Sequence, residues 1–309
     1  MPVLGIIFLR HASNRYNGAL LAIQADQAAG LMPNRPLLAA DFLKRRALML
    51  PEQSRFDFIL AQPKNGKLST VLVAAMEAIE SEFDALKGQL PKDYDRFDND
   101  VLEYLLRIFD RDELRRATGD VFGRIYEYFL MKFAMQGAQD NGEFFTPPSL
   151  VQTIVGIIEP DHGTVLDPAC GSGGMFVQTS HFIEQHGQDT SSRVTFFGQE
   201  KTATTIRLAK MNLAVHGLEG DIREANTFYQ DEHSLFGGCD FVMANPPFNV
   251  DLVDAGKVRG DRRLPFDLPG ISKGTTAKSG DELGVGKKGA TKAETVSNGN
   301  YLWIQYFYS

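Results

Sequence analysis

Cysteine is nearly absent: Cys170 and Cys239 are two residues in 309, too few for a disulfide framework. Free thiols in a reducing, cytoplasmic compartment are expected. Histidine is scarce as well, and the six present fall at no metal-ligand spacing, so no metal is expected. Long apolar sequence is missing. Nothing approaches the ~18 residues of a membrane span, and the run Val3–Leu9 lacks a basic lead-in and ends on Arg10 and His11, so it reads as the inside of a buried helix rather than a leader. Positive charge is not in excess either. Lys plus Arg number 32 against 39 Asp plus Glu, a net charge of −7, which excludes a surface gripping nucleic acid throughout; nucleic acid must be met locally or through a partner. What is there, 43% hydrophobic and 23% charged residues, is ordinary globular material with room for about two domains, and neither disordered nor collagen-like.

Residues 1–135 carry helical periodicity without hairpin signals. Val101, Leu105 and Ile108 share one helical face, and Asp120 as N-cap introduces Val121, Ile125, Tyr128 and Phe129 in register. A mostly helical packing domain is expected. Gly66-Lys67 imitates a phosphate loop, but Ala61 stands in place of its first glycine and Leu68 in place of its Ser/Thr, so none is assigned. Beyond residue 140 or so, short apolar runs alternate with helices: strands at 164–166, 194–197 and 240–244, a weaker one at 221–223, and helices at 175–186 and 203–216, the second closed by Gly217. This alternation predicts an α/β fold with a parallel, doubly wound sheet. Residues 251–300 hold 14 AVILMFWYC residues in 50, nine glycines, and nine Lys/Arg against seven acids, which predicts a mobile, mildly basic loop.

Chemistry concentrates at the strand ends. The segment Val165-Leu166-Asp167-Pro168-Ala169-Cys170-Gly171-Ser172-Gly173-Gly174-Met175 leads from a strand through a glycine-rich turn into a helix, so backbone can approach a ligand closely and the helix start offers free amides. Asp167 stands where a dinucleotide enzyme presents its pyrophosphate turn, and Phe176 takes the third glycine of G-x-G-x-x-G; the turn suits an amino-bearing ligand better than a diphosphate. Glu200, 33 positions on at the next strand end, is placed to accept hydrogen bonds from ribose hydroxyls. In Asn245-Pro246-Pro247-Phe248 two prolines fix the backbone, so an amide oxygen, a carbonyl and an aromatic face suit the exocyclic amino group of a planar ring. Ser149 followed by Gln152 is expected to box the start of a helix carrying Leu150, Val151, Ile154, Val155 and Ile158.

In this order, Asp167 to Gly174, Glu200 and Asn245 to Phe248 resemble the amino-methyltransferases that use S-adenosylmethionine. With Gly142 to Pro148 ahead of them and a helical domain before that, the chain resembles the modification (M) subunit of type I restriction-modification systems. The resemblance implies a Rossmann-like methyltransferase domain over 136–309, incomplete at its C-terminus, behind a helical domain over 1–135 truncated at its start. It implies methyl transfer from S-adenosylmethionine to N6 of adenine in DNA. Gly142, Glu143, Phe144, Phe145, Thr146 and Pro147 would bind cofactor, the last three walling its methionine part; Asp167, Gly171, Ser172, Gly173 and Gly174 would hold its amino-acid end, and Glu200 its ribose. Asn226 matches the adenine-contacting position, where an acid is usual. Asn245, Pro246, Pro247 and Phe248 match the catalytic set, Asn245 Oδ1 and the Pro246 carbonyl accepting the N6 hydrogens of a flipped adenine and Phe248 stacking on it.

The implied partners are DNA, a specificity (S) subunit that reads its sequence, a second M subunit and a restriction (R) subunit, with no membrane. Two rivals remain. One is a methyltransferase acting on another planar amino group: N4 of cytosine, an RNA base or a protein glutamine. The other is a catalytically incompetent piece. Val3–Leu9 opens without a cap and Tyr301–Tyr308 stops without a terminator, so both ends are expected to be cut, with an open sheet edge, low solubility and little independent catalysis.

Overall fold

The computed structural model describes residues 1–63, 66–115, 125–133, 146–273 and 294–309. The apolar opening of the chain becomes α1 (Pro2–Ala28), which buries every residue from Leu4 to Ser13 and then narrows to a stripe of Tyr16, Ala19 and Ile23. The helical half continues through α2 (Ala39–Leu43), α3 (Phe56–Leu60), α4 (Leu68–Glu82), α5 (Asn99–Phe109), α6 (Asp112–Arg115) and helical residues 125–133 (α7). One apolar cluster joins Leu4–Leu9, Phe42, Phe56, Leu72, Met76 and Tyr126.

The expected helices form, but with their core faces shifted. In α5 two apolar stripes run one residue apart, because Val101-Leu102, Leu105-Leu106 and Ile108-Phe109 are adjacent pairs. The core takes Leu102, Leu106 and Phe109 and leaves Val101 42% exposed. In α7, likewise, Tyr126 and Leu130 are buried while Tyr128 is exposed. The expected N-cap Asp120 and Val121 lie outside the described residues.

The second half opens with α8 (Pro148–Ile158). The expected Ser149–Gln152 box is not what starts it: Pro147 takes the cap position, Pro148 fills the first helical position, where a missing N–H is harmless, and the Ser149 carbonyl accepts Thr153 Oγ1 at 2.9 Å. Next come β1 (Gly163–Asp167), α9 (Gly174–Gln185), α10 (Thr190–Arg193), β2 (Val194–Glu200), α11 (Ala203–Val215), β3 (Gly220–Glu224) and β4 (Phe241–Val242). The sheet is parallel throughout, in the order β3-β2-β1-β4, with Leu166 opposite both Phe197 and Val242. The chain runs outward from β1 to β3 and returns with β4 to the other side of β1, so the switch point lies between β1 and β4. Among the described residues β4 pairs with β1 alone.

Residues 251–273 and 294–300 depart from the expected loop. They contribute β5 (Val253–Asp254), α12 (Ala255–Val258), β6 (Ile271–Lys273), β7 (Glu294–Val296) and the head of α13 (Asn300–Tyr308), with the strands in an antiparallel sheet of order β5-β7-β6. Composition averaged over the stretch hid this. Five of its apolar residues, Val253, Ala255, Val258, Leu264 and Val296, are buried in a cluster completed by Phe228 and by Leu302, Trp303 and Tyr306 of α13, while Leu252, Phe266 and Ile271 stay exposed. Residues 274–293 lie outside the described residues.

The two halves share a seam along α11. Leu208, Met211 and Val215 belong to the helical cluster, His11 Nε2 donates to the Val215 carbonyl at 3.2 Å, and beside α11 Arg46 Nη2 donates to Thr190 Oγ1 at 3.5 Å. Gly217 closes α11 with φ +65°, and a Cβ there would collide with the Arg46 backbone. Among the described residues no helix is long and apolar enough to cross a membrane, and no group of three or more His, Cys, Asp or Glu is placed to hold a metal ion. Both cysteines are free.

Candidate active site

Strands β1, β2 and β4 end side by side, and the loops leaving them open onto one cavity of about 380 Å³. Asp167, at the end of β1, is 2% exposed, and its Oδ1 accepts the Ala169 N–H at 3.0 Å. Burial, helped by nearby Glu200 and opposed by that N–H, pushes its carboxyl up to about 8. The turn beyond it is tied down from two sides: the Cys170 N–H donates to the Gln199 carbonyl at 3.0 Å, and Asn212 Nδ2 of α11 donates to the Ser172 carbonyl at 2.9 Å. Gly171 and Gly173 sit at φ +52° and +77°, a region other residues enter only with strain. Gly173 is the cap position of α9, so the helix's first amides open beside the buried acid. Burial, with Asp167 and Glu200 near, keeps the Cys170 thiol protonated.

Glu200, also buried, ends β2, where its Oε1 accepts the Thr202 N–H at 3.0 Å. Beneath the cavity a polar chain locks three strand ends together. Thr227 Oγ1 donates to the Pro168 carbonyl at 2.5 Å and accepts from Gln199 Nε2 at 2.9 Å, while Gln199 Oε1 accepts the Glu232 N–H at 2.8 Å. Asn226 lies on this loop, its Oδ1 accepting the Phe228 N–H at 3.2 Å.

The expected strand 240–244 is shortened to β4, and the Met243 N–H, donating to the Leu166 carbonyl at 3.0 Å, makes the last bond to β1 before the loop. Asn245, Pro246 and Pro247 then lie half-buried along the cavity, and Phe248 stands 58% exposed. Asn245 Nδ2 donates to Thr146 Oγ1 at 2.8 Å, which leaves Oδ1 as the acceptor end of the amide. Thr146 therefore acts on Asn245, a link not visible in the sequence.

Of the expected site residues, the cavity brings together Thr146, Asp167, Gly171, Ser172, Gly174, Glu200, Asn226 and Asn245 to Phe248. Gly173 and Pro147 do not line it; each caps a helix beside it. Gly142, Glu143, Phe144 and Phe145 lie outside the described residues. Sequence reasoning missed Gln199, Thr227, Phe228 and Trp303, all on the cavity wall. An aromatic two places after Asn226 was a readable signal for Phe228; Trp303 had none, since only tertiary packing returns α13 to the cavity. The lining offers a buried acid beside free helix amides, a second acid one strand away, an aromatic wall and an outward amide oxygen. That set fits a ligand with an ammonium group, a sugar diol and a flat ring, next to a second planar amino compound.

A doubly wound sheet with acids at two adjacent strand ends and Asn-Pro-Pro-Phe beyond the switch point defines a Rossmann-like methyltransferase domain. The family model for N-6 DNA Methylase matches residues 117–277, more than half of the chain, and the HsdM N-terminal domain matches residues 1–109. The chain belongs to the N-6 DNA methylase family. It is similar to the MjaIX methylase subunit of a type I restriction enzyme from Methanocaldococcus jannaschii, 32% identical over 323 residues covering 99% of this chain and 54% of that protein. The HindI methylase subunit from Haemophilus influenzae is 40% identical over 203 residues, 60% of this chain and 45% of that protein. The chain thus spans about half the length of the curated relatives it matches. Its fold is shared with the methyltransferase subunit of the type I restriction-modification system from Streptococcus thermophilus, at a TM-score of 0.65 and 19% identity, over 99% of this chain and 66% of that one.

Proposed function

We propose that this chain carries the cofactor cavity and catalytic loop of the modification subunit of a type I restriction-modification system, and that its reaction is methylation of adenine N6 in DNA. The observation that carries the reading is a single cavity in which Asp167, Glu200 and Asn226 meet Asn245 to Phe248. S-adenosylmethionine, bound there, supplies an electrophilic methyl group. Asp167 receives the ligand's ammonium, the amides beside Gly173 its carboxylate, Glu200 its ribose hydroxyls, and the loop at Asn226 its adenine.

The Asn245 end handles the base. The N6 lone pair of adenine is delocalised into the ring and is a weak nucleophile. Asn245 Oδ1 and the Pro246 carbonyl each accept one N6 hydrogen, drawing the nitrogen toward tetrahedral geometry and localising its lone pair. Flipping the base from the duplex costs a few kcal/mol, and stacking on exposed Phe248 returns ~1–3 kcal/mol of this.

A specificity subunit reads the DNA sequence, and a second modification subunit and a restriction subunit complete the assembly. The net charge of −7 agrees with DNA gripped by that assembly rather than by this chain's surface, and two free thiols agree with a cytoplasmic setting. The helical domain spans 1–135 and the methyltransferase domain 136–309.

The test is to offer DNA, RNA and protein with methyl-labelled cofactor to this chain, with and without a specificity subunit, and to digest each labelled product to its nucleosides or amino acids. Label in N6-methyladenine supports the reading; label in N4-methylcytosine, in an RNA base or in protein glutamine overturns it.

A further inference from the structure

Asn212, in the last turn of α11, is 3% exposed and does not line the cavity. Its Nδ2 donates to the Ser172 carbonyl at 2.9 Å, while its Oδ1 is buried without a hydrogen-bond partner among the described residues. An orphaned amide oxygen costs stability that a leucine of similar size would not, so the gain from an amide here lies in what its Nδ2 holds. It holds one peptide unit. The Ser172–Gly173 peptide is fixed at both ends: its N–H donates to the Cys170 carbonyl at 2.8 Å, and its carbonyl accepts Asn212. Gly171 and Gly173 flank Ser172 at φ +52° and +77°, and glycine on either side leaves the backbone there free to take other conformations, so the orientation of this peptide depends on those two bonds. The support behind it is itself clamped. A Cβ on Gly173 would stand 3.7 Å from Ala209 Cβ, so the turn lies directly on α11. Ile206, Ala209 and Leu213 of α11 pack into the methyltransferase cluster, and Leu208, Met211 and Val215 into the helical one. Ser172 lines the cavity, and the first amides of α9 open immediately beyond it.

We propose that Asn212 is a positioning residue: by holding the Ser172 carbonyl against α11 it sets the direction of the amides that receive the ligand's carboxylate, without touching the ligand itself. The proposal rests on the reading of the cavity as an S-adenosylmethionine site, and it adds a residue outside the cavity on which the amino-acid end of that site depends. The consequence is selective. Without the bond the turn loosens, while Glu200 and the Asn226 loop, which receive the nucleoside, stay in place.

The test compares two ligands. Labelled S-adenosylmethionine and labelled methylthioadenosine, which keeps the nucleoside and the sulfur but lacks the amino-acid end, are each dialysed to equilibrium against wild type, Asn212→Leu and Asn212→Ala, with folding checked by circular dichroism. Asn212→Leu keeps the bulk and removes the donor. S-adenosylmethionine binding is expected to weaken roughly three- to tenfold in both variants, the worth of one hydrogen bond, while methylthioadenosine stays within about twofold. A side chain that merely packs α11 would move both ligands alike or neither. Unchanged S-adenosylmethionine affinity, or an equal loss for both ligands, overturns the proposal. Should Asn212→Leu fail to fold, Asn212→Ala, which adds no bulk, decides by the same comparison. Failure of wild type to bind either ligand strikes instead at the underlying reading of the cavity, and is thereby distinguished.

Discussion

Asn245 has two chemically opposite ends, and the 2.8 Å bond from its Nδ2 to Thr146 Oγ1 selects which one faces the substrate. Valine at 146 keeps the shape but removes the acceptor, so Thr146→Val is expected to lower the methylation rate on the order of tenfold, the worth of one hydrogen bond that orients a reacting group, with cofactor binding unchanged and Thr146→Ser restoring the rate. Equal rates for Val and Ser in single-turnover assays would remove this role. Asp167 makes a second prediction. Its carboxyl is raised to about 8 by burial, so near neutral pH it is mostly protonated and must ionise to meet an ammonium group. Cofactor binding is therefore expected to release a proton below that pH and to tighten as pH rises toward about 8. In the ligand-free chain the same raised value adds stability below the ordinary carboxylate range of ~4 that is lost as pH rises through about 8. Titration calorimetry in two buffers of different ionisation heat measures the proton, and a binding constant flat across this range in wild type contradicts the assignment.

At the scale of elements, the two stripes of α5 separate what periodicity can tell from what it cannot. Leu102 is buried and Val101 largely exposed, so Leu102→Ala is expected to lower stability by about 2–5 kcal/mol and Val101→Ala by about 0.5 kcal/mol in urea melts; the reverse order would put the core on the wrong face. Both stripes satisfy a 3.6-residue repeat, and only the shape of the neighbours chooses between them. The strand ends were legible for the opposite reason. Asp167 and Asn245 come directly after a short apolar run and Glu200 three positions after one, and a doubly wound sheet must bring such ends together, whatever packs around them. The ordered elements in 253–273 and α13 were not legible, because their burial depends on pairs far apart in the chain, such as Val253 with Val296 and Phe228 with Trp303. Thr146 on Asn245 was hidden for the same reason: 99 positions separate them.

Across the whole molecule the helical half and the methyltransferase sheet are joined at α11, where burial holds His11 down to about 4 and His216 to about 3, with Arg15 adding to both and Arg46 and His181 to His216; Glu127 stands 3.7 Å from His216. Neutral imidazoles stabilise this seam fully above the ordinary histidine range of ~6.5, and that contribution is lost as pH falls below it. Wild type is expected to lose more melting temperature between pH 7.5 and 5.5 than His216→Asn, and equal losses would show that the seam does not titrate. One cavity at the carboxyl ends of the strands joins the Asp167–Glu200 side, proposed to hold the cofactor, to the Asn245 side, proposed to hold the base. Equilibrium dialysis of labelled S-adenosylmethionine on wild type, Asp167→Asn and Asn245→Ala tests this most directly. Wild type and Asn245→Ala are expected to bind with equal affinity and Asp167→Asn at least tenfold more weakly; equal binding by Asp167→Asn, or binding lost in Asn245→Ala while that variant remains folded, would overturn this division of the cavity.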